Sequence, residues 1–161
     1  MDAIFKSLSS SSGREFVNSN YYMVKDRDQL IISTHILLDS VVVNKGQSYI
    51  NSPVRIDFNI FSIETVSIQN KLANEMYIDY SKLEFPLLIR PWQHGDSFIP
   101  LGMKSFKKIS DYFIDNKFSL IKKKKTLLLI SNNTIVCILG ERLDDRFKLV
   151  ENSKKVYIVT L

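Results

Sequence analysis

The sequence predicts an α+β fold, a layered domain with many short strands and one principal internal helix. Two patterns support this prediction. Residues 54–61 alternate apolar and polar side chains, as expected for a strand buried on one face, and similar short apolar runs recur between turn residues. Between Phe106 and Phe118 the apolar period becomes helical, with lysines on the other faces. Such a mixture is typical of a layered α+β domain.

The first third of the chain predicts a short helix, a linker and a hairpin. Residues 2–8 have the pattern of a helix, and the serine run at 9–12 predicts a linker. The runs NYYMVK and QLIIST flank a turn-prone segment at 26–28, which predicts a β-hairpin. A polar turn at 44–48 precedes the strand at 54–61.

Further strands are predicted on both sides of the internal helix, which is expected to begin near Ser105. MYIDY and FPLLIRPW read as strands, and Pro91 predicts that the second one ends at a sheet edge or leaves the ladder there. TLLLIS and TIVCILG flank Asn132 and Asn133, which predicts a hairpin, and FKLV and VYIVT are read as the last strands.

These elements are grouped into three segments. They are a linker helix with a serine-rich link at 1–12, a β-rich first lobe at 13–83, and a C-terminal lobe at 84–161. Whether residues 13–161 form one core stays open at this point.

The composition is that of a globular protein. Hydrophobic residues make up 45% and aromatic residues 11% of the 161-residue chain, which is enough for a core. The apolar runs are too short to span a bilayer, and the first residues lack the pattern of a secretory signal. Cys137 lies in an apolar run and is the only cysteine. It favours a reducing, cytoplasmic setting and a buried, inert thiol.

The basic residues are concentrated in one short region. Residues 101–125 contain eight lysines and two aspartates, whereas the whole chain has a formal charge of +5. The rest of the chain is therefore slightly acidic. Clustered lysines indicate a polyanionic partner such as nucleic acid, because they neutralise phosphates, whereas a solvated helix face with a lysine-rich loop is the simpler alternative.

The segment before the lysines predicts a shaped loop. Gly95 and Asp96 read as a tight turn in which the carboxylate accepts backbone N–H groups or pairs with an arginine. Pro100 and Gly102 redirect the chain towards the predicted helix, whose first N–H groups would suit a phosphate.

Other chemistries have weaker support in the sequence. The two histidines, His35 and His94, have no metal-ligand spacing with the single cysteine. A hydrolase using His94, Asp96 and Ser97 is conceivable, but side chains so close in sequence rarely form a triad, and no nucleophile elbow is present. The glycines are isolated and form no phosphate loop.

Two blocks of the sequence resemble the C-terminal region of bacterial tRNA(Ile)-lysidine synthetase. They are GDSFIPLGMKSFKKISDYFIDNK, preceded by an arginine, and IVCILGERLDDRFKL. The resemblance covers roughly residues 83–161, and residues 12–33 resemble the preceding family segment more loosely. Residues matching the family pattern in order are Arg90, Gly95, Asp96, Pro100, Gly102, Lys107, Lys108, Ile109, Ser110, Asp111, Asp115 and Lys117. The sequence departs from the family where Ser105 and Phe106 replace a frequent glycine, and where the basic loop has lysines alone.

The resemblance implies a C-terminal piece of an enzyme that attaches lysine to the wobble cytidine of tRNA(Ile) with ATP. The family's catalytic Ser-Gly-Gly-x-Asp-Ser loop belongs to an N-terminal domain and is absent from this sequence. ATP and lysine would be used by that domain, so no cofactor is expected here. The implied fold is a β-sandwich-like α+β domain related to one in phenylalanyl-tRNA synthetase. The implied partners are tRNA, on its acceptor-stem side, and the N-terminal catalytic domain, with no membrane and with a homodimer as a further option.

The expected site residues therefore form two sets, with no catalytic or metal-binding residue. The expected tRNA-binding residues are Lys104, Lys107, Lys108, Lys122, Lys123, Lys124, Lys125, Arg90, Arg142 and Arg146. The expected structural-turn residues are Gly95, Asp96, Pro100 and Gly102. The alternatives are a structural or dimerisation module of the same enzyme and an independent small hydrolase.

Overall fold

The computed structural model describes residues 15–17, 21–26, 29–34, 38–67 and 72–161. The chain divides into two compact units, the first formed by residues 1–37 and 113–125 and the second by residues 38–112 and 126–161. The helix and serine linker expected at 1–12 lie outside the described residues. The expected division between residues 83 and 84 stays a prediction, and it lies inside the second unit.

The elements are mainly short strands. The strands are β1 (Glu15–Val17), β2 (Tyr21–Asp26), β3 (Gln29–Thr34), β4 (Val41–Val43), β5 (Tyr49–Ile50), β6 (Ile56–Ser62), β7 (Glu75–Asp79), β8 (Leu87–Pro91), β9 (Ser97–Phe98), β10 (Lys107–Lys108), β11 (Leu127–Ser131), β12 (Thr134–Ile138), β13 (Arg142–Leu143) and β14 (Lys155–Thr160). The helices are α1 (Ile109–Asp115) and α2 (Leu120–Lys125). Among the described residues, no helix combines the length and apolar character needed to cross a membrane.

The first unit contains a three-stranded antiparallel sheet with the order β1-β2-β3. The predicted hairpin of β2 and β3 is confirmed by their register. Tyr22 and Val24 of β2 pack with Ile121 of α2 in a small buried cluster. One face of the sheet and one face of the helix therefore supply this core.

The second unit contains two larger antiparallel sheets, with orders β13-β12-β11-β8-β4 and β5-β6-β14-β7, and the small ladder of β9 and β10. Side chains from both larger sheets meet in one hydrophobic cluster, as Leu129 of β11 and Phe58 of β6 illustrate. All five residues of β11 are buried, as expected for a strand inside a sheet. Cys137 is fully buried in the same cluster, which confirms the predicted burial of the thiol.

The hairpin predicted around Asn132 and Asn133 is also confirmed, with β11 and β12 antiparallel. The two asparagines have φ angles of 42° and 60°, the left-handed backbone that a tight hairpin turn requires. The prediction for Pro91 is confirmed in its second alternative. Strand β8 ends at Pro91 and leaves the ladder there, and it lies between β11 and β4 and not at a sheet edge.

The helix predicted at 106–118 was wrong in its extent. Lys107 and Lys108 form β10, which pairs antiparallel with β9, and α1 begins only at Ile109. The Ile109 N–H donates to the Asp96 carbonyl, so the expected N-terminal phosphate site near Ser105 does not form. Pairing with β9 thus overrides the helical period, and it leaves Phe106 63% exposed.

Two further expectations were wrong. The lysine-rich segment expected as a loop forms α2, so the described part of the chain has two short α-helices instead of one principal helix. Lysine is a good helix former, which allows this. FKLV forms no strand, since Asp145–Phe147 is a 3₁₀ turn in which the Asp144 carboxylate accepts from the Arg146 N–H.

Candidate nucleic-acid interface

The loop before β9 is closed by Gly95 and Asp96. Gly95 has a φ angle of +97°, which favours glycine strongly. The Asp96 carboxylate accepts hydrogen bonds from both Nη atoms of Arg90 at 2.8 Å and from the Gln93 N–H at 2.7 Å. The Arg90 and Asp96 side chains are only 17% and 13% exposed, so a two-point ion pair fixes this turn.

This geometry changes the acidity of both groups. Burial alone would raise the pKa of Asp96, but the hydrogen bonds from Arg90 and Gln93 and the charge of Arg90 hold that pKa below its ordinary value. The hydrogen bond to Asp96 raises the pKa of Arg90. Asp96 is therefore a stable carboxylate that positions the loop, and it is poorly suited to accept a proton near neutral pH.

A second carboxylate, Asp144, joins the two sequence blocks. Its side chain is fully buried and accepts from the Ile99 N–H at 2.8 Å and the Arg146 N–H at 2.9 Å. The Nε and Nη2 atoms of Arg146 donate to it at 2.9 and 2.8 Å. Pro100 and Asp144 also form an isolated antiparallel β-bridge through their backbones. The bend at Pro100 is thus held by a residue 44 positions later in the chain.

A third carboxylate, Asp145, holds the next turn. It accepts from the Gly102 N–H at 2.8 Å and from Lys148 Nζ at 2.9 Å. These hydrogen bonds, that of Gly102 first, lower the pKa of Asp145. Gly102 has a φ angle of +87°, and Arg142 Nη2 donates to the neighbouring Leu101 carbonyl at 2.6 Å. We call residues 95–106, with these three supporting aspartates, the braced loop.

Three of the expected lysines, in the braced loop and on β10, belong to the second unit. Lys104 is exposed in the loop itself, Lys108 is exposed on β10, and Lys107 is half-buried beside it. Because the backbone of Lys107 and Lys108 is held in the ladder with β9, the positions from which these two side chains extend are fixed.

The other four expected lysines, Lys122–Lys125, belong to the first unit and lie on α2. Lys124 Nζ lies 3.0 Å from Glu15 Oε2 and 3.8 Å from the centre of the Tyr22 ring. Lys122 Nζ lies 3.9 Å from the centre of the Phe118 ring. Lys124 therefore has a structural contact with β1 and β2, and such contacts are worth about 0.5–1 kcal/mol each at exposed sites.

The expected tRNA-binding residues are thus distributed over two units. Lys104, Lys107 and Lys108 lie in the second unit, and Lys122–Lys125 lie in the first. The three arginines expected as RNA contacts, Arg90, Arg142 and Arg146, all donate hydrogen bonds that hold the braced loop. Whether any of these residues contacts RNA stays a prediction.

Sequence reasoning missed Asp144, Asp145 and Phe106 as members of this region. The aspartates were noted only as part of the resemblance, and their contacts with Ile99 and Gly102 join segments more than 40 residues apart. Two adjacent carboxylates before an arginine were the only local signal. Among the described residues, His, Cys, Asp and Glu side chains form no group of three or more that could hold a metal ion.

Comparisons with known proteins agree with this architecture. Residues 1–36 match a family model described as the TilS substrate binding domain, and residues 87–160 match one described as the TilS substrate C-terminal domain. A crystal structure of a TilS C-terminal domain superposes with a TM-score of 0.56 at 14% identity, covering 74% of this chain and 88% of that one.

Curated relatives extend over nearly the whole chain. The tRNA(Ile)-lysidine synthase of Parabacteroides distasonis is 41% identical over 162 residues, covering 98% of this chain and 36% of the relative. That of Bacteroides thetaiotaomicron is 33% identical over 155 residues, covering 96% of this chain and 34% of the relative. The chain thus spans about a third of the length of these relatives.

The antiparallel sheets and the two short helices define an α+β fold, and the superposition shows that this fold is shared with that solved C-terminal domain. The matches at both ends of the chain then specify the family. The chain belongs to the tRNA(Ile)-lysidine synthase family and corresponds to its C-terminal, substrate-binding region.

Proposed function

We propose that this chain is the tRNA-binding, non-catalytic part of a tRNA(Ile)-lysidine synthase, the ligase that uses ATP to attach lysine to the wobble cytidine of tRNA(Ile). The observation that carries the proposal is the excess of lysines in residues 101–125, in a chain whose relatives have that name. Lysine side chains neutralise phosphates and release counterions, which gives salt-dependent affinity for RNA.

The charges of the neighbouring aspartates do not cancel this excess. Asp96 pairs with Arg90, Asp144 with Arg146, and Asp145 with Lys148. Each of these pairs is neutral and uses a cation from outside residues 101–125. The three aspartates that shape the braced loop therefore have cationic partners outside residues 101–125.

The type of surface favours backbone recognition. Double-stranded RNA is recognised mainly by its shape and its phosphates, and lysines on short, fixed elements suit that mode better than a base-reading pocket. We infer that the acceptor-stem side of the tRNA is the part contacted. We also infer a cytoplasmic protein in which a separate catalytic domain of the same enzyme uses ATP and lysine.

The proposal also includes how the two larger sheets pack against each other. We infer that the two larger sheets of the second unit stack as a β-sandwich-like domain related to one in phenylalanyl-tRNA synthetase. The single cluster that draws side chains from both sheets supports this inference.

The hydrolase alternative has little support in the geometry. The two oxygens of Asp96 accept three N–H groups, and the pKa of Asp96 is lowered, so this carboxylate is a weak base. His94 is exposed in the adjoining turn.

A gel-shift titration of tRNA with the chain in a series of salt concentrations tests the proposal. The double variant Lys107→Glu/Lys108→Glu is expected to weaken tRNA binding, because it replaces two phosphate-neutralising charges with repulsive ones. The double variant Lys154→Glu/Lys155→Glu is the matched control, since it reverses two adjacent exposed lysines of the same unit outside the basic region.

Equal affinities for the first variant and the unmodified chain would overturn the assignment of these lysines. If the chain retains no tRNA and light scattering shows a firm dimer, the structural or dimerisation module replaces the proposal.

A further inference from the structure

A cleft of about 380 Å³ lies in the second unit, beside the braced loop. Its lining includes Arg90, Asp96, Ser97, Phe106, Thr134 and Arg146. The volume falls within the range of about 300–1,000 Å³ that is usual for small-ligand sites. The lining is mainly polar, with one exposed aromatic ring, and the phosphate-contacting lysines proposed above do not line it.

Phe106 is the unusual member of this lining. Its side chain is 63% exposed, although phenylalanine is usually buried. The guanidinium carbon of Arg146 lies 5.2 Å from the centre of the Phe106 ring. The ring and the guanidinium plane are the two kinds of surface on which unpaired bases stack.

The arginines of the cleft are held in fixed positions. Asp144 accepts from Nε and Nη2 of Arg146, while a guanidinium group has five N–H donors, so the Nη1 group is not used by that carboxylate. Arg90 is held by Asp96 through both of its Nη atoms, and its Nη1 also donates to the Pro91 carbonyl. Side chains ordered before binding lose less conformational entropy when a ligand arrives.

The cleft offers hydrogen-bond donors to an anion, although its two arginines are paired. Arg90 is paired with Asp96 and Arg146 with Asp144, while the Nη1 group of Arg146 is not used by Asp144. The hydroxyl-bearing side chains Ser97 and Thr134 add donors and acceptors of the kind that ribose and base edges use.

We propose that this cleft binds a single unpaired nucleotide of RNA. The base stacks on Phe106 and Arg146, and the phosphate lies near the two guanidinium groups. The nucleotide must be unpaired, since the faces of paired bases are covered by their neighbours in the helix. The proposal rests on the RNA binding proposed above, but it concerns other residues and another kind of contact.

Fluorescence anisotropy with two labelled RNA probes tests the cleft. One probe is a short single-stranded oligoadenylate, and the other is a blunt RNA duplex without unpaired nucleotides. Phe106→Ala in the full chain is expected to weaken binding of the single strand at least about fivefold, which corresponds to about 1 kcal/mol, and to leave duplex binding unchanged.

Two further variants make the result specific. Phe106→Tyr keeps a stacking ring and is expected to bind the single strand like the unmodified chain. Phe61→Ala removes another exposed aromatic ring, 45% exposed on β6 and outside the cleft, and is expected to change neither affinity. Thermal melting of each variant checks that the fold is kept, as expected for exposed positions.

The outcomes separate this proposal from the proposed function. If Lys107→Glu/Lys108→Glu weakens tRNA binding while Phe106→Ala leaves the single strand unaffected, the cleft proposal is wrong and the proposed function stands. Equal losses for Phe106→Ala and Phe61→Ala, or no binding of the single strand by the unmodified chain, also overturn the cleft.

Discussion

Lysines of the same sequence cluster have different surroundings in the two units. On α2 of the first unit, Lys124 is bound to Glu15 and packs on Tyr22, so its position serves the packing of that unit. In the second unit, Lys107 and Lys108 extend from a strand whose partner follows a turn fixed by Asp96. Exposed side-chain contacts thus hold the lysine on α2. Backbone pairing and largely buried carboxylates hold the strand that carries Lys107 and Lys108.

This difference shows that the density of charge in a sequence does not by itself define a surface. Exposed ion pairs contribute little and are screened by salt, whereas a buried carboxylate with several N–H donors is costly to remove. Variants that remove one support at a time should therefore affect the two units very differently.

The largest expected effect is that of Asp144→Ala. It removes the fully buried acceptor of the Ile99 N–H and of Arg146, so the free energy of unfolding should fall by about 3 kcal/mol. Urea denaturation measures this change. Asp145→Ala, at a side chain 23% exposed, is the control and should lose clearly less. Equal losses would show that Asp144 has no special part in the braced loop.

A smaller effect is expected for Asp96→Asn, and it should depend on pH. The pKa of Asp96 is lower in the folded state, so its stabilising contribution is present above about pH 4 and is lost as the pH falls through the folded-state pKa. At neutral pH the variant should lose about 1–2 kcal/mol. Its stability should then vary less than that of the unmodified chain below pH 4.

Urea denaturation at a series of pH values measures the Asp96 effect. Asp111→Asn, at an exposed carboxylate on α1, is the control and should follow the unmodified chain. Parallel pH profiles for Asp96→Asn and the unmodified chain would contradict the role of the Arg90 pair.

The smallest effect is expected in the first unit. Lys124→Ala should lower the free energy of unfolding by about 1 kcal/mol or less, since Lys124 and Glu15 are 51% and 41% exposed and solvent screens their attraction. Thermal melting at low and high salt measures it, and the difference should shrink in high salt. Lys125→Ala, one position further on α2, is the control. A loss at Lys125 as large as that at Lys124 would contradict the contact's role.

The local parts of this fold could be predicted from the sequence. The β2–β3 and β11–β12 hairpins follow from apolar runs around short turns, and Asn132 and Asn133 tolerate the required backbone. The distant contacts could not be predicted. Lys107 and Lys108 leave the helical pattern because β9 offers them a strand partner, which no local preference indicates.

The division of the lysines between two units could not be predicted from the sequence either. Residues 104–108 and 122–125 are neighbours in sequence, but the chain passes from the second unit to the first after Tyr112. Counting charges along the sequence does not show where the chain passes from one unit to the other. The phosphate-binding role of the lysines, by contrast, follows from their number and chemistry and stays a prediction to be tested.

The most direct test of the central claim is the slope of log affinity for tRNA against log salt concentration in neutralised variants. The pairs are Lys107→Ala/Lys108→Ala in the second unit, Lys123→Ala/Lys125→Ala in the first, and Lys154→Ala/Lys155→Ala as the control. If the lysines of residues 101–125 contact phosphates, each of the first two pairs should weaken binding and reduce the slope by about 1.4–1.8. The control should keep the original slope. An unchanged slope for both basic-region pairs, or an equal change in all three, would contradict the claim.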